Sequence, residues 1–317
     1  MIGLPVDYSL AGLVFGAFAV LSALDRTNSK RFGNGLFWGL VAVSFLAGDR
    51  LGDLGNGGLV LGLALIAGFG GLGRGQPHTT SPQERQALAQ SLGSKLFIPA
   101  LTLPLVVIFG VLVLKPIQLA GGPLLDPKQA TLISLALAAV VATAVGLVLL
   151  RQPLISPLQE GRRLMDTVGW AALLPQMLAA LGAVFALAGV GETIGQLVTA
   201  WIPMDARLTA VAVYCLGMAG FTMIMGNAFA AFPVMTAGVA LPILVGRFGG
   251  DPAVIASIGM LSGFCGTLMT PLAANFNLVP AALLELPDRY AVIKAQIPTA
   301  LPVLIVNVVL MYVLAFR

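Results

Sequence analysis

Two apolar stretches in the C-terminal half, residues 207–246 and 252–286, carry polar side chains where a membrane segment would normally be uninterrupted. In the first, Gly226-Asn227 and then Pro233 break the run, flanked by Thr222 and Thr236. In the second, Ser262, Thr267 and Thr270 lead to Pro271, and a further break is expected across Asn275-Phe276-Asn277. These side chains are neutral hydroxyls and amides. Where a helix breaks, freed backbone groups join them: a half-helix start offers N–H groups to an anion, and a half-helix end offers carbonyls to a cation. Such a set suits a small polar solute or Na⁺. A proton relay would call for a carboxylate or histidine at mid-membrane, and the candidate acids Asp166, Glu192, Asp251, Glu285 and Asp288 are all expected near segment ends. The bland reading of the same residues is a hydrogen-bonded helix break used only for packing.

Enzyme chemistry finds little support. The single histidine, His78, lies in a polar stretch with no second ligand beside it, and no HExxH, paired-cysteine or phosphate-loop spacing occurs. A serine nucleophile within the membrane would lack a histidine base. The pairs Gly48-Asp49 and Gly250-Asp251 are weak candidates for an aspartyl protease, being placed at segment ends. Cys215 and Cys265 sit in apolar segments and read as buried, inert thiols. The chain is therefore read as a non-enzyme without a bound cofactor, in which Na⁺ or H⁺ would serve as a coupling ion. Glu285 with Arg289, and Asp288 with Lys294, are possible ion pairs in a solvated turn.

Breaks of this kind need elements to hold them. Apolar residues make up 58% of the 317-residue chain and charged residues 9%, against about 25% charged in soluble domains. So little charge cannot cover a water-facing surface, and long runs punctuated by Gly and Pro predict an all-α, polytopic transmembrane bundle, not a β-barrel. The formal charge of +4 is spread over loops and carries no nucleic-acid signal. Apolar segments are expected at about 8–24, 32–47, 55–72, 96–114, 130–150 and 166–187, then an interfacial helix within 189–204, the two interrupted stretches, and a proline-kinked last span at about 291–316. That makes about ten apolar elements, including a re-entrant or broken hairpin and a broken helix in the C-terminal half. Residues 1–165 read as scaffold and 166–317 as the transport-like region. No basic leader precedes the first run, so that run is expected to stay in the membrane. The loops after the first, third and fifth segments hold nine Lys and Arg, and the intervening ones three, which predicts an outside N-terminus. Gly12/Gly16 and Gly58/Gly62 are spaced for close helix packing.

The stretches beginning Gly226-NAFAAFPVMTAGVALPIL, Gly263-FCGTLMTPLAANFNLVPAALLEL and Ala295-QIPTALP resemble the bacterial membrane family catalogued as domain of unknown function 979. The resemblance covers most of the chain. Genes of that family are typically found beside one for a shorter membrane protein, of the family catalogued as domain of unknown function 969. Pyroglutamyl peptidase or oxoprolinase genes are often neighbours. This implies an inner-membrane permease for pyroglutamate (5-oxoproline) or a related small carboxylate, built from two components. The layout is also similar in outline to one repeat of the ion-transporter superfamily, in which two inverted repeats each supply a hairpin and a broken helix. One such set is legible here, so the companion protein, or a second copy in a homodimer, would supply the other. The competing class is a non-transporting membrane scaffold or assembly partner.

Overall fold

The computed structural model describes residues 2–76, 80–119, 122–284 and 286–317. His78 and Glu285, and with Glu285 its proposed pairing to Arg289, lie outside the described residues. The chain is all-α apart from a minimal two-stranded hairpin, and eight helical stretches among the described residues are long and apolar enough to cross a membrane. It is a multi-pass membrane protein. It folds as two compact units, residues 1–169 and 170–317.

In the first unit, α1 (Leu4–Leu24) packs along α2 (Arg31–Gly68). Residues 48–53 read as a loop between two segments, yet helical winding runs to both sides of a single fold point, Gly52 (φ 60°, ψ −175°). The positive φ is one a residue with a Cβ rarely adopts. The two arms then run antiparallel: Gly62 faces Leu40, and Gly48 faces Asn56. Gly12 packs on Leu46 and Gly16 on Ala42, whereas Gly58 faces open space. The polar stretch after the third segment holds a helix that its composition does not predict, α3 (Pro82–Leu92), started by a reciprocal capping box between Ser81 and Glu84. Next come α4 (Phe97–Phe109), extended by a π-turn to Leu114, and α5 (Ala130–Leu150). Residues 151–163, expected as loop, largely form α6 (Ser156–Val168), so Asp166 lies within a helix and not at the head of a span.

That helix closes a buried ionic joint. Arg162 Nη1 lies 2.7 Å from Asp25 Oδ2 and 3.6 Å from Asp166 Oδ2. Asp166 Oδ1 accepts hydrogen bonds from Asn34 Nδ2 and Trp38 Nε1, each 2.8 Å. Gly73 is held at both backbone groups by Asn34, and Asn28 also donates to its carbonyl. Burial pushes the Asp25 carboxyl up, but hydrogen bonds from Thr27 and Arg162 outweigh that and hold it below the usual carboxylate range. The loops after the first and third segments and α6 therefore meet at one end of this unit. At the other end, Ile2 pairs with Leu124 and Leu125.

In the second unit, α7 (Leu174–Leu187) and α8 (Val190–Trp201) pack on the helix that follows the first interruption. Gly191 and Gly195 of α8, at a four-residue glycine spacing, meet Val234 and Gly238 backbone to backbone. The interrupted stretches supply α9 (Arg207–Met225), α10 (Ala228–Met235), α11 (Pro252–Leu268) and α12 (Ala274–Leu283), and α13 (Ala291–Leu314) closes the chain. Pro233 does not end α10. It withholds one N–H from the ladder, and the helix goes on as π-winding over Thr236–Arg247. Pro298 and Pro302 lie within α13, which stays one helix. A buried apolar cluster from α9, α10 with its π-wound continuation, α11 and α13, including Val211, Met218, Val239, Ile255 and Met311, joins these elements.

Candidate functional site

Alpha-9 and the α10 helix form an antiparallel hairpin. Tyr214 reaches Thr236 at 3.5 Å, and Gly217 meets Met235, so the arms pair about a tip at Gly226-Asn227. The tip follows from local chemistry. Gly226 takes the left-handed conformation that ends a helix (φ 75°), donating its N–H to the Thr222 carbonyl at 2.7 Å. Asn227 then caps the next helix, its Oδ1 accepting from the Phe229 N–H at 2.7 Å.

Alpha-11 runs parallel to α9, held close by its glycines: Gly259 lies against Tyr214, Gly263 against Met218 and Thr222, and Gly266 against the Ala219 carbonyl. Because the two helices start at a common end, their interruptions fall at one level. A Cβ at Gly226 would stand 2.6 Å from the Leu272 carbonyl oxygen, and Thr270 Oγ1 donates to the Met223 carbonyl at 2.9 Å. Alpha-12 then continues for ten residues beyond the break. At the other end of the unit, the Asp251 N–H donates to the Ala315 carbonyl at 2.7 Å, and Arg207 stacks over Phe316.

The second expected break, across Asn275-Phe276-Asn277, is absent: these residues form the first turn of α12. The interruption is confined to residues 269–273, because Asn277 bridges it. Its Nδ2 donates to the carbonyls of Thr267 (2.9 Å) and Thr270 (2.7 Å), satisfying the end of α11 from the start of α12.

Of the candidate residues, the structure brings Thr222, Gly226, Asn227, Thr267, Thr270, Asn275 and Asn277 to this junction. Ser262 lies deeper in α11, fully buried, with its hydroxyl donated to the Ile258 carbonyl at 2.9 Å. Thr267 likewise turns its hydroxyl back to the Gly263 carbonyl at 3.3 Å, so its carbonyl, not its side chain, faces Asn277. Thr236 is nine residues past Asn227, about 13 Å along the helix, and does not join the site. Asn275 is half-buried, and its side chain makes no hydrogen bond among the described residues.

Thr222 Oγ1 and Asn277 Oδ1, both at this junction, are two of four buried side-chain oxygens unpartnered among the described residues, the others being Asp7 Oδ2 and Gln296 Oε1. Four helix ends meet here, the C-termini of α9 and α11 and the N-termini of α10 and α12. Each end carries roughly half a unit of charge, so the junction offers one pole of each sign without an ionised side chain.

The other candidate groups have structural explanations. Asp251 caps α11 through the Ala253 N–H at 2.8 Å, and Asp49 is exposed. Cys215 and Cys265 are buried free thiols, Cys215 Sγ lying 3.8 Å from Met311 Sδ. Asp288 pairs with Lys294 at 2.7 Å in the turn before α13, and that hydrogen bond holds its carboxyl below the usual range. What sequence reasoning missed is the backbone contribution, the carbonyls of Met223 and Leu272. The Gly259/Gly263/Gly266 spacing was the available signal that α11 presses closely on another helix.

No curated protein and no solved structure matches this chain. A family model described as protein of unknown function (DUF979) matches residues 6–316, and the chain belongs to that family.

Proposed function

We propose that this chain is one subunit of an inner-membrane secondary permease that moves a small organic anion by alternating access. The observation that carries the reading is the meeting of a hairpin tip and a helix interruption at one level in the second unit. Interrupted helices survive in a bilayer only where protein or a water-filled cavity covers their loose backbone groups, and paired interruptions are where secondary transporters hold their solutes. The N-termini of α10 and α12, with Asn227 and Asn275, suit the carboxylate of the solute. Pyroglutamate or a related carboxylate is the proposed substrate, with Na⁺ or H⁺ as the coupling ion. The proposed partner is the shorter membrane protein of the companion family, or a second copy of this chain.

The test is uptake of labelled pyroglutamate into cells expressing this chain, the companion protein, or both. Uptake with both alone supports a two-component permease, and uptake with this chain alone supports a homo-oligomer. No uptake in any strain, with both proteins confirmed in the membrane, removes the substrate assignment.

One observation favours the scaffold reading. Thr270 and the amide of Asn277 are already committed to tying the break together. Asn227→Ala and Asn275→Ala separate the two: a permease loses uptake while still inserting, whereas a scaffold loses only expression or partner binding.

A further inference from the structure

We propose that the paired C-terminal ends of α9 and α11 seat one monovalent cation, Na⁺, with Thr222 Oγ1 and Asn277 Oδ1 as its side-chain ligands. The inference rests on the permease reading, which leaves the ion as Na⁺ or H⁺, and it assigns both the ion and its place.

The first observation is orientation. Both N–H groups of the Asn277 amide are spent on the carbonyls of Thr267 and Thr270, so the amide cannot be turned over, and Oδ1 is left as a pure acceptor. That oxygen is buried and unpartnered, as is Thr222 Oγ1, and both residues are fully covered. Buried polar atoms in native proteins are nearly always satisfied. Two unsatisfied oxygens beside one helix break therefore mark a place for a cation or a hydrogen-bond donor.

The second observation is reach. Thr222 Oγ1 lies against Gly263, where a Cβ would stand 3.3 Å from it, and the Asn277 amide sits on the carbonyl of Thr267, one turn further along α11. One turn is about 5.4 Å. An ion with oxygen ligands at about 2.4 Å bridges atoms about 5 Å apart.

The third observation is charge. The ends of α9 and α11 contribute roughly half a negative unit each, and the described groups at the junction include no carboxylate. Set against the positive N-termini of α10 and α12, this leaves a local negative pole at the ends of α9 and α11 that suits a monovalent ion and falls short for a divalent one. Neither an amide nor a hydroxyl takes up a proton near neutral pH, so this seat does not hold H⁺. The small glycines at 263 and 266 admit the close helix approach that brings the oxygens together.

The test uses the full chain purified in detergent, with no solute present. Its unfolding temperature is followed as NaCl replaces choline chloride at constant ionic strength, with KCl as control. The wild type is expected to rise saturably with Na⁺ and not with K⁺. Thr222→Val removes only the unpartnered oxygen from a near-identical shape. It is expected to weaken the Na⁺ midpoint by at least about tenfold, the lower range for loss of a partner at a metal site. Thr222→Ser keeps the oxygen and is expected to restore it. Thr222→Ala serves if the valine variant does not fold.

A wild type that answers Na⁺ and K⁺ alike overturns the proposal. So does an unchanged Na⁺ midpoint in Thr222→Val or Thr222→Ala, which would make the two oxygens water-bound or structural. Failure of the permease reading is told apart by the uptake assay: a Thr222-dependent Na⁺ response without pyroglutamate uptake keeps the ion seat and discards the solute. Uptake without a Na⁺ response discards the ion seat alone.

Discussion

Asn277 does the work of a missing turn. With the helix interrupted at residues 269–273, its amide takes over the carbonyls that α11 would otherwise satisfy through the next turn. Asn277→Leu keeps the volume and leaves both carbonyls unpaired in the interior. At about 1–3 kcal/mol for each abandoned group, the variant is expected to lose roughly 2–6 kcal/mol, read by denaturant unfolding in detergent. Glycine positions at the junction are equally unforgiving. Gly266 presses on the backbone carbonyl of Ala219, which cannot swing aside as a side-chain tip would. Gly266→Ala is expected to cost more than the about 1–3 kcal/mol typical of overpacking, seen as loss of the monodisperse peak in size-exclusion chromatography. Gly263→Ala meets side-chain atoms of Met218 and Thr222 and is the milder change.

At the scale of elements, small residues decide which helices touch. Alpha-8 is a 12-residue helix too short to cross a bilayer, and its Gly191 and Gly195 lay it directly on the π-wound arm of the hairpin. Gly195→Leu is expected to part the two and to raise amide hydrogen exchange in α8 while α13 stays protected. In the first unit the joining device is ionic. Arg162 holds Asp25 and borders Asp166, with both pairs shielded from solvent. Removing one partner of a buried pair leaves an uncompensated charge, so Arg162→Met is expected to cost about 3–5 kcal/mol. The pH dependence has a definite sign. A carboxyl held below its ordinary value stabilises the fold at neutral pH, and that contribution is lost as pH falls through its folded value. The unfolding temperature should hold down to about pH 5 and drop below about pH 4. In Asp25→Asn the plateau should be lower and the acid drop smaller.

For the whole molecule, the basic-residue count makes a topological claim that the ionic joint reinforces. The loop after α1 and the loop after α2 are tied by Asn28 and Asn34 to Gly73, and α6 is tied to both through Arg162 and Asp166. These segments, together with α3 and the turn that follows it, carry most of the nine Lys and Arg. Both native cysteines are buried, so introduced ones report alone. Ser29→Cys and Lys128→Cys place thiols at exposed positions on the two sets of loops. In intact cells an impermeant maleimide should label the second and not the first. Labelling of Ser29→Cys alone would reverse the orientation, and labelling of both would overturn the single orientation that the basic count predicts.

Composition alone determined the class, because a chain with 9% charged residues has no means of covering a soluble surface. Local sequence determined where helices stop and start: Gly226 and Asn227 are a helix end and a cap by their own backbone preferences, and Ser81 with Glu84 is a legible start. The site could not be read the same way. Thr236, Ser262 and Thr222 look alike in sequence, yet one pairs with Tyr214, one bonds within its own helix, and only Thr222 faces the junction unpartnered. Asp166 looked like a segment end and proved to be the centre of a buried joint, because its donors come from residues 22, 34 and 38, far away along the chain. Periodicity and capping act over a few residues, so sequence carries them. Which interruptions meet, and which oxygens are left without a donor, depends on contacts between distant helices and was decided by the tertiary fold.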